Sequence, residues 1–330
     1  MNDATTLRGP RVGIRRRRPT VDPTSVFGAT LLLALLVVNL TTTPASFSPS
    51  NLPETFGLAT PTILAAFAVT PTLLVGNGGI DLSVGPLIGL VNVVVVHEVI
   101  GRAGISDPVV VVLVALVVGL AIGFVNGVLV AYVRIEPIVA TLGTYLVCSG
   151  LSLSLLSSPG GSLPGWLADL AASASVVTVL VVLGGWWLFT RLPVYAQLMA
   201  TAGDERAAYT SGIDTARIRI VAYMMGGLIA GVGGLALTAA LGSADPTVGP
   251  SYTLTGIAAA AFGGISLAGG RGGILRALVG ALALFLLQNF LTYLNVSPFL
   301  LDVAYGAVLV IAVALNGQLN ELLTRRRRRA

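Results

Sequence analysis

The chain contains no lysine, and all 19 of its basic residues are arginine. A nucleotide-binding loop of the G-x-x-x-x-G-K-[ST] type needs its lysine to grip phosphate. This chain therefore cannot hydrolyse ATP by that route, and any ATP-driven work requires a separate ATPase polypeptide. The one histidine, His97, is too few for a multi-histidine metal site or for serine–histidine chemistry. The one cysteine, Cys148, permits no intrachain disulfide and reads as an inert thiol in an apolar run. No enzyme activity, no cofactor and no metal is expected. Charge is also scarce: 10% of the 330 residues are charged, against about 25% in soluble domains.

What the sequence has in excess is apolar residues, at 55%. A soluble globule of this length must coat itself with polar groups, so the surplus faces lipid. Long apolar runs without period-two alternation predict helices rather than barrel strands. With about 20 apolar residues needed per crossing, ten transmembrane segments emerge: 27–43, 56–75, 84–100, 109–133, 138–156, 174–189, 220–241, 252–266, 275–294 and 299–315. The third, eighth and tenth are short or glycine-rich, so the count carries a margin of one or two. The expected fold is an all-α integral membrane protein of about ten transmembrane helices.

Arginine placement orients it. With the N-terminus in the cytoplasm, ten crossings return Arg325 to Arg329 to the cytoplasm, and Arg134, Arg191, Arg206, Arg217, Arg219, Arg271 and Arg276 fall in or beside cytoplasmic loops. Only Arg102 falls outside, as the positive-inside rule predicts. The chain thus divides into an arginine-rich cytoplasmic tail (1–24), a transmembrane domain (25–318) and a second cytoplasmic tail (319–330). The tails read as anchors on lipid headgroups rather than as a nucleic-acid surface. Arg15 to Arg18 ahead of an apolar stretch imitate a secretory signal, but Pro19 and Thr20 break the twin-arginine pattern and more spans follow. An uncleaved first helix is expected.

Three segments invite a functional reading. The longest cytoplasmic connection, about 191–219, is polar. Asp204 and Glu205 favour the start of a short helix, Ala207 and Ala208 extend it, and Gly212 stops it. Next, 76–86 (Gly76-Asn77-Gly78-Gly79-Ile80-Asp81-Leu82-Ser83-Val84-Gly85-Pro86) interrupts the helix between the second and third spans. Such a break either lines a solute path with Asp81 or makes a tight cytoplasmic turn that Asp81 caps, and the residues alone leave both open. A second glycine-rich break, 263–273, echoes the first. Elsewhere Asn126, Thr141, Thr144, Gln288, Asn289 and Thr292 are polar residues inside spans, suited to bonding between helices or to a cavity. Gly119, Gly123 and Gly127, with Gly226, Gly227, Gly231 and Gly234, read as close-packing faces.

Four of these stretches together resemble the permease subunits of ribose-type bacterial ATP-binding-cassette (ABC) importers. That superfamily also includes branched-chain amino-acid and nucleoside permeases. The stretches are Gly78 to Gly85; Asn126-Gly127 with Glu136 to Thr144; Gly203-Asp204-Glu205-Arg206-Ala207-Ala208 with Ser211-Gly212-Ile213; and Ile257-Ala258-Ala259 leading into Gly263-Gly264 and Gly269-Gly270. The resemblance implies an ABC importer permease fold in a prokaryotic plasma membrane, translocating a small polar solute, a monosaccharide first. It implies that Gly203, Asp204, Glu205, Arg206, Ala207, Ala208 and Gly212 couple the chain to ATPase subunits. It also implies a solute-binding protein outside and a second permease subunit, identical or related. Gly79, Asp81, Ser83, Gly85, Asn126, Thr141 and Asn289 are the candidates for path or gate.

The sequence departs from the family pattern in places. Tyr252 to Gly256 supply no acidic residue before Ile257, Glu136 and Ile138 stand where proline and phenylalanine are common, and Arg206 replaces a frequent acidic residue. These changes point to a dedicated ATPase partner. The alternatives are an ion-gradient-driven transporter using Asp81, Glu98 or Asp302, a membrane scaffold that transports nothing, or an importer for an amino acid or nucleoside.

Overall fold

A computed structural model describes residues 23–310, except 173, 298, 299, 302, 304, 305, 308 and 309. The arginine-rich tails, and most of the tenth expected span, lie outside the described residues. Those residues form helices α1 (Pro23–Thr42), α2 (Leu52–Val75), α3 (Val84–Val93, continuing as a π-helix over Val94–Arg102), α4 (Pro108–Ala131), α5 (Pro137–Leu155), α6 (Gly165–Ala168), α7 (Ser175–Arg191), α8 (Pro193–Gly203), α9 (Glu205–Thr210), α10 (Thr215–Leu241), α11 (Ser251–Phe262) and α12 (Ile274–Tyr293). Nine of the ten expected spans coincide with a helix. By length and composition, six helices among the described residues are sufficient to cross a membrane, or up to seven if the bent α6–α7 pair is one span. The helices α1, over Val26–Thr42, and α11 are apolar but shorter.

The core forms around α2, which is apolar on every face and buried on nearly all of them from Ala59 to Val75. Such a helix belongs inside a bundle. It is surrounded by α10, α11, α12, α7 and α3. By contrast α4 and α5 present broad apolar faces outward, with Leu113, Val117, Leu142 and Leu146 all exposed. Among helices without water, close backbone approach is a main source of attraction. The α4–α10 contact is built that way: a Cβ on Gly119 would lie 2.2 Å from the Gly227 carbonyl oxygen, and one on Gly231 2.5 Å from that of Ala115. The glycine spacing read as packing is a packing face.

The bundle has two distinguishable ends. At one, the α2–α3 break meets the second glycine-rich break. The Gly270 N–H donates to the Leu74 carbonyl at 3.1 Å, and a Cβ on Gly269 would lie 2.2 Å from the Gly76 Cα. Both breaks border Ala202, so α8 and α9 lie at this end too. At the opposite end, Arg102 pairs with Glu98 at 3.3 Å, the Trp166 indole donates to the Ser106 carbonyl at 2.9 Å, and Gly160 pairs with Ala244 through two backbone hydrogen bonds. Arg134, Arg206 and Arg219 stand together at the α9 end.

The connection between α7 and α10 differs from expectation. One short helix was expected in a polar loop; there are two, α8 and α9, hinged at Asp204. Residues 193–203 are mostly apolar apart from Gln197 and Thr201, and they carry good helix formers after a proline at the first position.

A buried polar relay and a cleft beside it

The α2–α3 break is compact because of its backbone. Gly76, Asn77 and Gly78 have φ of 81°, 51° and 70°, a left-handed run that glycine and asparagine accept. It turns the chain back against the bundle. Two further positions demand glycine by proximity: a Cβ on Gly79 would lie 2.3 Å from the Thr72 carbonyl oxygen, and one on Gly85 would lie 2.4 Å from the Thr253 hydroxyl.

Asp81 is thereby carried inward and is 2% exposed. Its Oδ1 accepts from the Ser83 N–H at 2.9 Å and from the Ser83 hydroxyl at 2.7 Å. Having donated, the Ser83 Oγ accepts from the Asn126 Nδ2 at 2.8 Å, and the Asn126 Oδ1 accepts from the Thr144 hydroxyl at 2.7 Å. The bonds form one directional relay, Thr144 to Asn126 to Ser83 to Asp81, in which each donor polarises the next. Beside it, the Leu82 N–H donates to the Thr141 Oγ1 at 3.1 Å, and the Leu82 carbonyl accepts from the Thr253 hydroxyl at 2.9 Å. Residues from α4, α5 and α11 thus converge on Ile80–Ser83. Thr141 and Thr144 lie one and two turns beyond Pro137, so the relay sits roughly 6–10 Å inward of the start of α5, at 1.5 Å per residue. Asp81 fixes the Ser83 N–H just ahead of α3, but it does not cap that helix, whose N-cap residue is Ser83 and whose first turn takes no side-chain capping bond.

The polar residues predicted as path or gate divide accordingly. Gly79, Asp81, Ser83, Gly85, Asn126 and Thr141 come together. Asn289 stands apart: its Nδ2 donates to the Asn39 Oδ1 at 2.9 Å, tying α12 to α1. Sequence reading missed Thr253 as a member of the cluster and Asn92 as a buried anchor at the opposite end. Asn92 donates to the Thr238 Oγ1 at 2.9 Å and accepts from the Asp245 N–H at 2.8 Å.

At the α9 end a cleft of about 780 Å³ opens between the α4–α5 turn and the α9–α10 segment. Its walls include Arg134, Glu136, Arg206, Asp214 and Arg219. Asp204 caps α9, its Oδ1 accepting from the Ala207 N–H at 3.0 Å. Gly212 ends that segment with φ of 88°. The Glu205 Oε2 accepts from the Arg219 Nη2 at 2.7 Å and also from the Asn77 side-chain amide. One carboxylate therefore joins α9, the foot of α10 and the α2–α3 break. The sequence marked Asn77 only as part of the break and Arg219 only for orientation, and no local pattern marks a contact across 128 residues. Ala208 is buried beneath α9, whereas Arg206, Ala207, Tyr209 and Thr210 face outward, with Tyr209 71% exposed.

The family described as branched-chain amino acid transport system / permease component matches residues 54–313. Among individual relatives, the ribose import permease protein RbsC of Escherichia coli (strain K12) is 35% identical over 301 residues, 87% of this chain and 92% of its own. RbsC of Bacillus subtilis (strain 168) is 33% identical over 86% of this chain and 90% of its own. The D-allose transport system permease protein AlsC of Escherichia coli (strain K12) is 30% identical over 88% and 91%. No solved structure matches the chain. These relatives support the importer reading and give none to an ion-gradient transporter. This chain belongs to the branched-chain amino acid transport system / permease component family, as a membrane-spanning permease subunit of an ABC importer.

Proposed function

We propose that the chain imports a monosaccharide across a prokaryotic plasma membrane by alternating access, with the Gly76–Gly85 break as gate. The single observation that carries the proposal is the shared Glu205 carboxylate, which gives α9 a direct contact with the gate segment. ATP binding closes two ATPase subunits on the outward face of α9. Glu205 passes that displacement to Asn77, and the relay from Thr144 to Asp81 rearranges as the break moves. Solute affinity inside the path is low, because a solute-binding protein outside supplies selectivity. A second permease subunit completes the path.

The topology has ten crossings, with both arginine-rich tails on the cytoplasmic side of the membrane, the side assigned to α9. Three features support the orientation. Arg134, Arg206 and Arg219 share the α9 end, Arg102 occupies the opposite end, and Phe27 packs edge-on against Phe262 near the second glycine-rich break. Ribose heads the candidate solutes on the names of the relatives. The experiment is to purify the solute-binding protein encoded beside this chain and identify the compound it retains by mass spectrometry. A monosaccharide supports the proposal; an amino acid or nucleoside in its place refutes the substrate class.

A further inference from the structure

On α10 the Arg219 Nε and the Tyr223 hydroxyl are buried without a hydrogen-bond partner among the described residues. The two residues stand one turn apart, at i and i+4. Side chains on a helix lean toward its N-terminus, so Tyr223 lies over the turn that carries Arg219. Tyr223 is 0% exposed, and its ring packs against Val130 of α4 and Ala140 of α5. Val130 lies one turn beyond Asn126, and Ala140 directly precedes Thr141, so the ring is set against the two helices that hold the relay. Its hydroxyl lies within electrostatic reach of both the Asp81 carboxylate and the Arg219 guanidinium. Asp81 keeps one oxygen unused: both bonds from Ser83 go to Oδ1, and none among the described residues reaches Oδ2. These unused capacities are complementary. The Arg219 Nε offers one N–H, the Asp81 Oδ2 accepts, and a phenol hydroxyl can accept and donate at once. A buried polar group without a bond carries its full desolvation cost, so a conformation that pairs all three recovers what this one forfeits.

We propose that Tyr223 is a positioning residue for transport: in the other transport state its hydroxyl accepts from the Arg219 Nε and donates to the Asp81 Oδ2. Glu205 holds Arg219 through Nη2, which leaves Nε free for that bond. The resulting chain, Glu205 to Arg219 to Tyr223 to Asp81, is a second route from α9 to the relay. It runs along α10, whereas the Glu205–Asn77 contact reaches the break directly. The proposal rests on the reading of the Gly76–Gly85 break as gate.

The test places the full chain in proteoliposomes with its ATPase subunits and loaded binding protein, and reads sugar taken up per ATP hydrolysed. Thermal unfolding of the same protein in detergent is read beside it. Tyr223→Phe removes the hydroxyl and keeps the packed ring. Because that hydroxyl is unpaired here, the unfolding temperature is expected to hold or rise. The uptake ratio is expected to fall about tenfold, the effect of losing a bond to a charged group in one state only. Arg219→Lys keeps a cation for Glu205 and removes Nε, and a similar fall is expected. The double variant is expected to fall no further than either single one, because both break the same chain. An unchanged ratio in Tyr223→Phe, a fall matched by a lower unfolding temperature, or losses that multiply in the double variant each overturn the proposal. Asn77→Gly separates this outcome from the gate itself. A normal Tyr223→Phe beside a defective Asn77→Gly refutes the hydroxyl chain and leaves the gate standing; normal ratios in both refute the gate reading as well.

Discussion

The contact between Asn77 and Glu205 gives the sharpest test of how force reaches the gate. The informative change is Asn77→Gly. Asn77 has φ of 51°, so alanine there adds backbone strain of about 1–2 kcal/mol, whereas glycine removes the amide alone. A hydrogen bond to a charged group contributes about 1.5–3 kcal/mol. The Glu205–Arg219 pair survives the change, and its partly buried position, with side chains 32% and 15% exposed, keeps α9 on α10. If the amide–carboxylate bond exists in only one of the two transport states, its loss shifts their balance by roughly ten- to a hundredfold. The assay is proteoliposomes containing the ATPase subunits, with loaded binding protein added, read as sugar taken up per ATP hydrolysed. Asn77→Gly is expected to keep stimulated ATPase activity and lose about tenfold or more in that ratio, by the same conversion. Asn77→Asp, which sets a second carboxylate against Glu205, is expected to do worse. An unchanged ratio in both variants would refute force transfer through this contact.

The outward face of α9 yields a second prediction. Tyr209→Ala or Ala207→Arg is expected to prevent co-purification of the ATPase subunits while thermal unfolding in detergent stays unchanged. Ala208→Arg, aimed into the packed side, is expected to lower the unfolding temperature instead. Within the relay, Ser83→Ala strips Asp81 of one bond and leaves the Asn126 amide without its acceptor; uptake is expected to fall, and a thermal-shift loss equivalent to about 1–3 kcal/mol should accompany it. Gly119→Leu is expected to prevent stable assembly of α4 on α10, seen as aggregation on size-exclusion chromatography. Gly143→Leu is the control, because nothing lies within 4 Å of its Cβ position.

Much of the bundle is legible in the sequence because lipid imposes one strong rule. Backbone groups must be satisfied internally, so apolar length reads out as helix. That rule located nine helices where spans were expected, six or seven of them long and apolar enough to cross a membrane, and glycine spacing located the α4–α10 face, where a Cβ has no room. The pattern Gly78 to Gly85 marked the break, and the fold brings Asp81, Ser83, Asn126 and Thr141 together. The remainder depends on long-range geometry. Thr253, Asn77 and Arg219 look like ordinary loop and helix-end residues until folding brings them to partners 171, 128 and 14 residues away. Asn289 shows the converse limit, since a polar residue inside a span serves helix packing as readily as a path. Ala208 in α9 was grouped with exposed neighbours because the six-residue helix is too short for its buried side to show as a period.

The account rests on this chain drawing its work from a partner's ATP. The direct measurement is ribose uptake into proteoliposomes, first with the chain alone under an imposed proton or sodium gradient, then with ATPase subunits, ATP and loaded binding protein. The account predicts no uptake in the first case and concentrative uptake in the second. Gradient-driven uptake by the chain alone would contradict it.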